Sequence, residues 1–177
     1  VNLLEEGGVP NDCSLLMIYN PQRDLAVDEL TSITEYLNGG GQVMILAGFS
    51  AEEGPNLDAL LAEYGMILEK GYAADTSRFY QNNPYYIFPE YNHASQVVSG
   101  IGDDELTLLT GSSVVTLMEE MPEGVTAESI MTTSEDGLLI DINGNQTLGQ
   151  YTVAASSTKE LESGQAVLTV FACPEMI

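Results

Sequence analysis

Few side chains in this chain of 177 residues are of a type that does covalent chemistry, and their spacing keeps them apart. Cys173 closes the last apolar run, Ala166–Ala172, at the strand-end position where α/β enzymes hold a nucleophile. A thiol there needs a base within hydrogen-bond reach. His93 is the one histidine. It lies in an irregular stretch, and nothing in the sequence brings it toward Cys173. Pro174 follows at once, which does not suit a tight strand-to-helix elbow. Ser50 follows another apolar run, but Gly48-Phe49-Ser50-Ala51-Glu52 is not G-x-S-x-G. Ser156 has Lys159 three residues on, without the S-D-N or K-T-G partner that S-x-x-K chemistry uses. The sequence therefore predicts no catalytic residue.

Ligand chemistry is equally sparse. Gly39-Gly40-Gly41 comes after a helical pattern and before a strand, the reverse of a phosphate loop, and reads as a helix stop. Asp141–Asn145 begins like a calcium loop. An EF-hand needs glycine at its sixth position and glutamate at its twelfth, and these are Gln146 and Thr152. A hairpin tip at Asn143-Gly144 fits better. Asp103-Asp104-Glu105 reads as a solvated acidic loop. No metal and no cofactor is expected. What remains is an aromatic stretch, residues 79–91, with six of the nine tyrosines and four phenylalanines and no clear period. It is either a lid packed on the core or a partner-contact surface, since tyrosines supply rigid amphipathic contact area.

Charge narrows the partners. The chain has 27 acidic and four basic residues, a net charge of −23. Such a surface repels phosphate backbones and anionic lipid, which argues against nucleic acid and against membrane docking through its own surface. No apolar run reaches the length of a membrane helix, so no direct insertion is expected. Cys13 and Cys173 are predicted to be free thiols on separate strands, beyond the roughly 7 Å a disulfide spans. The first residue, Val1, is not methionine, and the chain reads as one domain cut from a longer protein.

The elements that would position any site are clearest in the N-terminal third. Leu15–Tyr19 is a continuous apolar run, read as a buried strand that Asn20-Pro21 ends. Leu25–Leu37 has apolar residues at helical spacing, with Asp24 as its candidate cap. Val43–Ala47 is a second buried strand, which completes a βαβ unit. Asn56–Tyr64 reads as a helix stopped by Gly65, followed by the strand Met66–Leu68. Residues 73–99 are irregular, with a short strand at Tyr85–Phe88 and a turn or short helix at His93–Val98. Strands follow at Leu106–Leu109, Val114–Met118, Ala127–Thr133, Gly137–Ile142, Tyr151–Ala155 and Ala166–Ala172, with a polar turn at Lys159–Gly164. The expected fold is an α/β three-layer domain with a mostly parallel sheet and added β-hairpins in the C-terminal half.

Two segments also carry a family resemblance. Asn20-Pro21-Gln22-Arg23-Asp24-Leu25, with the helix, glycine run and strand that follow it, is one. Asn56-Leu57-Asp58-Ala59-Leu60-Leu61-Ala62-Glu63-Tyr64-Gly65 is the other. Over about residues 15–71 the chain resembles the auxiliary domain of ABC-type transport systems, the group that includes the gliding-motility ABC transporter auxiliary component. The resemblance implies a flavodoxin-like or class I glutamine-amidotransferase-like sheet. It implies a non-enzymatic accessory domain at the extracytoplasmic face of the cell membrane, tethered through its parent protein beside an ABC permease and its ATPase. It carries over no catalytic residue, and the chain's Ala172–Met176 departs from the family's usual ending of the last strand. The competing expectations are an amidotransferase-like hydrolase pairing Cys173 with His93, and a carbohydrate- or peptide-binding module using the aromatic loop 79–91.

In an open α/β sheet, ligands bind at the carboxyl edge of the strands. That edge should collect Asn20, Arg23 and Asp24 with Phe49 and Ser50, and the aromatic loop would add Tyr85, Tyr86 and Tyr91. These are the candidate ligand or partner contacts. The competing reading of Arg23 is a pairing with a nearby carboxylate.

Overall fold

Two apolar runs of the N-terminal third become neighbouring strands of one sheet. The computed structural model describes residues 3–50, 53–102, 104–162 and 164–176. Val1 and Asn2, Ala51 and Glu52 beyond Ser50, Asp103 of the acidic cluster, Ser163 of the polar turn and Ile177 lie outside the described residues. A single turn, α1 (Leu3–Glu6), precedes β1 (Leu16–Tyr19); α2 (Val27–Asn38) then leads to β2 (Gln42–Leu46). β2 runs parallel to β1, with Leu16 opposite Val43 and Tyr19 opposite Leu46. The first turn of α2 is closed by Glu29, whose carboxylate accepts the Ala26 N–H at 2.8 Å. Gly40, at φ +86°, takes the left-handed conformation that ends the helix. Gly41 passes so close under Tyr36 that a Cβ would lie 2.5 Å from the ring.

The next helix, α3 (Pro55–Glu63), has proline in its first turn, where a missing N–H costs nothing. The chain then turns to strands: β3 (Met66–Leu68), β4 (Gly71–Asp75), β5 (Phe79–Tyr80), β6 (Asn83–Ile87), β7 (Glu90–Tyr91), β8 (Leu109–Thr110) and β9 (Val115–Leu117). The last part holds β10 (Val125–Thr132), β11 (Gly137–Asp141), β12 (Gln146–Leu148), β13 (Thr152–Leu161), β14 (Gly164–Phe171) and β15 (Glu175–Met176).

The central sheet has the order β1-β2-β14-β13-β10-β7. Only β1, β2 and β14 are parallel; β14 to β13, β13 to β10 and β10 to β7 are all antiparallel. This corrects the expected mostly parallel, flavodoxin-like sheet. The reason is connection length. Parallel neighbours need a crossover of a dozen or more residues. β13 and β14 instead form a tight hairpin, with Leu161 opposite Gly164. Among the described residues no helix follows α3, so nothing is left to cross over. With 40% of residues in strands and 14% in helices, the chain is mostly β.

The make-up of the layers also departs from the expected flavodoxin-like fold. Helices cover one face, where Ile33, Leu37, Leu60, Leu61 and Tyr64 bury Val43, Ile45, Leu168 and Val170. The other face is covered by strands: Ala73, Ile87, Leu109 and Val114 pack on Leu46, Phe171, Ala154 and Met131. Those strands belong mainly to two small antiparallel sheets, β12-β11-β4 and β15-β8-β6-β5, whereas the pair β3–β9 adds Met66 and Val115 to the helix-side core. No helix among the described residues is long and apolar enough to cross a membrane.

Candidate functional site

The carboxyl ends of β1 and β2 do come together. β1 leaves through Asn20, at φ +43°, and β2 leaves through Ala47, whose N–H donates to Phe171 O at 3.0 Å. Between the two exits lies a hollow of about 280 Å³ walled by Asn20, Pro21, Gln22 and Ala47 to Ser50. Phe49 is shared with a second hollow of about 490 Å³, lined by Glu53, Lys70, Tyr72, Asp141 and Ile142. There the rings form a ladder. Phe49 meets Tyr72 edge-on at 5.0 Å between centroids, and Tyr72 meets Tyr85 at 6.3 Å, also edge-on.

The ladder continues onto the outer face of β12-β11-β4. Tyr72 is opposite Ile140, and Leu138 is opposite Leu148. By strand alternation these share one face, and Ile142 lies two residues beyond Ile140. Tyr72 and Tyr85 are each 41% exposed, Ile142 69% and Leu148 67%. Gly71 makes the close approach possible, because a Cβ there would collide with the Ile140 carbonyl. At the rim, Asp141 Oδ1 accepts the N–H groups of Asn143 and Asn145 at 2.8 and 2.9 Å, closing the turn between β11 and β12. The Asn145 side-chain amide and N–H, with the Asn143 N–H, hold the Asp141 carboxyl below its ordinary range. The turn is the hairpin tip expected from Asn143-Gly144. No cluster of three metal-ligating side chains occurs among the described residues.

The other candidate residues are placed elsewhere. Arg23 points to solvent and pairs with Glu29 at 3.6 Å. Asp24 does not cap α2. Its carboxylate accepts the Asn56 and Leu57 N–H groups at 3.0 Å each, and so caps α3. Asn56 answers by donating its side-chain amide to Leu25 O at 2.7 Å. Strand alternation sends Tyr85 and Tyr86 to opposite faces of β6. Tyr86 is half-buried opposite Thr110. Tyr91 packs on the second core with its hydroxyl buried and without a hydrogen-bond partner. Phe88 packs edge-on against Tyr80 at 5.9 Å. The aromatic loop therefore offers no continuous exposed row, which removes the carbohydrate- or peptide-binding reading of it.

Cys173 and His93 are not assembled as a pair. The Cys173 thiol is buried and donates to Glu175 O at 2.9 Å and Thr110 O at 3.3 Å. Burial pushes its pKa up, and backbone hydrogen bonding at Glu175 and Thr110 only partly offsets that. His93 follows β7 and packs on Tyr91 at 5.8 Å. β7 and β14 are separated by β13 and β10, three strand spacings or about 14 Å. The amidotransferase-like arrangement is thus absent from this sheet.

Sequence reasoning missed Tyr72, Ile142 and Leu148. Glu69 and Lys70 look like an outward turn at Gly71, which hid the alternation of Tyr72 with Ala73 and Ala74. It also missed Asp75, which is wholly buried. Asp75 Oδ1 accepts the Ser77 and Arg78 N–H groups at 2.8 Å each and the Ser134 hydroxyl at 2.9 Å; Oδ2 accepts the Ser134 N–H at 2.7 Å. Burial raises the carboxyl's pKa, but the three N–H donors and the hydroxyl outweigh it and leave it lowered. The signal was present: an Asp two residues before a serine is a turn former.

No family model matches the chain, and no curated protein matches it significantly. Its fold does match a solved structure, the N-terminal domain of mmIFT52, with a TM-score of 0.67. The two are 15% identical over 93% of this chain and 67% of the other. At that identity the likeness shows the fold alone. It is a likeness to an intraflagellar transport protein, and nothing in the comparisons returns an ABC transporter auxiliary domain. The accessory role, the permease and ATPase partners and the membrane association rested on the resemblance over residues 15–71, and this finding overturns them. The arrangement at the carboxyl edge offers aromatic faces, aliphatic side chains and one ammonium, Lys70.

Proposed function

We propose that this domain is a non-catalytic docking module of a protein assembly, and that it engages its partner through the face formed by Phe49, Tyr72, Tyr85, Ile142 and Leu148. One observation carries the reading: a contiguous aromatic and aliphatic face, open to solvent, on a molecule whose net charge is −23. Monomeric proteins rarely leave large apolar rings exposed side by side unless a partner covers them. Tyrosines are also favoured interface anchors, because they bury much area for little conformational entropy. Glu53, Asp141 and the excess of acidic side chains set the partner's character. It presents an apolar centre ringed by lysines or arginines. The fold likeness to the N-terminal domain of an intraflagellar transport protein supports a place in a transport assembly.

The test is the native state of the chain in its own cells. The wild-type chain is expected to sediment with a larger complex, and a Tyr72→Ser, Ile142→Ser double variant to sediment as free chain with unchanged circular dichroism. A folded double variant that still travels with the complex would contradict the proposal.

A further inference from the structure

A second surface lies at the far side of the central sheet from β7. β1 pairs with β2 on one side, and no described strand lies on the other. The Asn20 N–H donates to Leu46 O at 2.7 Å. In a parallel ladder the backbone groups alternate sides residue by residue, so Leu16, Ile18 and Asn20 address β2. Met17 and Tyr19 then present their N–H and C=O groups to the open edge. Their side chains are also exposed, 54% and 61%, beside Leu15 at 44%. They stand on the face away from α2 and α3, next to Met44, which is opposite Met17 and only half-buried.

Natural sheets protect their edges with lysine, proline, bulges or covering loops. Leu16–Tyr19 has none of these within it, and its register with β2 is unbroken. Unpaired backbone groups and exposed apolar side chains thus fall on the same two residues. A second copy of this chain is a poor occupant, since it would bring another −23 charges to the contact. Asp12, on the segment entering β1, is exposed, while Arg23 beyond it is engaged with Glu29.

We propose that β1 is a strand-addition site, and that its occupant is an extended segment of a partner chain with apolar residues in alternation and lysines or arginines between them. The added strand pairs with the outward backbone groups of Met17 and Tyr19 and lays its apolar side chains on Leu15, Met17, Tyr19 and Met44. Backbone pairing supplies affinity and the alternate side chains supply selectivity. The site is separate from the aromatic face and does not depend on it.

The probe is a capped nine-residue peptide alternating lysine with valine, titrated into the whole chain at low salt. Binding is expected to slow amide exchange of Met17 and Tyr19 by about tenfold or more, with no change at Ile142. The same peptide with glutamate for lysine is expected not to bind. Met17→Pro removes only an outward N–H and is expected to keep the fold, as edge strands tolerate proline, while abolishing binding. Met17→Lys leaves the backbone intact and is expected to weaken binding about tenfold, roughly 1.4 kcal/mol. Four results would each overturn the proposal: no binding, binding without protection at Met17 and Tyr19, equal binding by folded Met17→Pro or Met17→Lys, or sedimentation of the free chain as a dimer that Met17→Lys dissolves.

Discussion

The carboxylate of Asp75 ties the turn after β4 to Ser134 with four hydrogen bonds in a site closed to water. Removing its charge leaves donors without a full acceptor. Asp75→Asn is expected to cost about 2 kcal/mol at neutral pH, measured by urea unfolding. The pH dependence has a definite sign. The folded pKa lies below the unfolded one, so the stability from this group is complete above the ordinary carboxylate range and is lost as pH falls through the folded value. Wild type and Asp75→Asn should therefore converge in stability at acid pH. The thiols give a second residue-level expectation. Cys13 is half-buried and Cys173 is buried with a raised pKa. A disulfide reagent at neutral pH should modify one thiol quickly in the native chain, and both in denaturant. Rapid modification of Cys173 in the native chain would contradict its assigned role as a buried donor to two carbonyls.

At the scale of elements, the contacts that matter cross between segments far apart in sequence. Asp24 caps α3 from the loop after β1, so Asp24→Ala should cost about 1 kcal/mol and raise amide exchange at Asn56 and Leu57 rather than in α2. Gly71 lies against the Ile140 carbonyl, so Gly71→Ala should cost about 2 kcal/mol and loosen the β4–β11 pairing beneath Tyr72. The legible part of the fold was the local part. The runs Leu15–Tyr19 and Val43–Ala47, the helical spacing between them and Gly40 together specify a βαβ unit at short range. The pairing of Asn20 with Phe49 and Ser50 at one edge followed from that unit. The rest depended on non-local choices that no period encodes. Ala127–Thr133 and Tyr151–Ala155 read as strands, but nothing in them says that β10 and β13 extend to Val125 and Leu161 and pair antiparallel. The alternation of Gly71–Asp75 was hidden behind an apparent turn, and with it the center of the exposed face. Asp24 read as a cap correctly but for the wrong helix, because capping chemistry says what an aspartate does and not which N–H groups it reaches.

At the scale of the molecule, charge and exposed apolar surface work against each other. Net charge of −23 keeps copies apart and opposes compaction. Added salt should therefore stabilise the fold: the thermal midpoint should rise between about 0.01 M and about 0.1 M salt, as the Debye length falls from about 30 Å to about 10 Å. The same repulsion opposes self-association through the open aromatic face and the bare sheet edge, and the proposed basic partner would be drawn to both. The proposed function stands on the first of these surfaces. Site-specific photo-crosslinking tests it most directly, with p-benzoyl-phenylalanine placed at Ile142 and, as control, at exposed Asp28 on α2. The account predicts a discrete adduct from position 142 in the native cells, weakened by salt, lost with Tyr72→Ser and missing from position 28. Equal labelling from both positions, or an adduct indifferent to Tyr72→Ser, would contradict it.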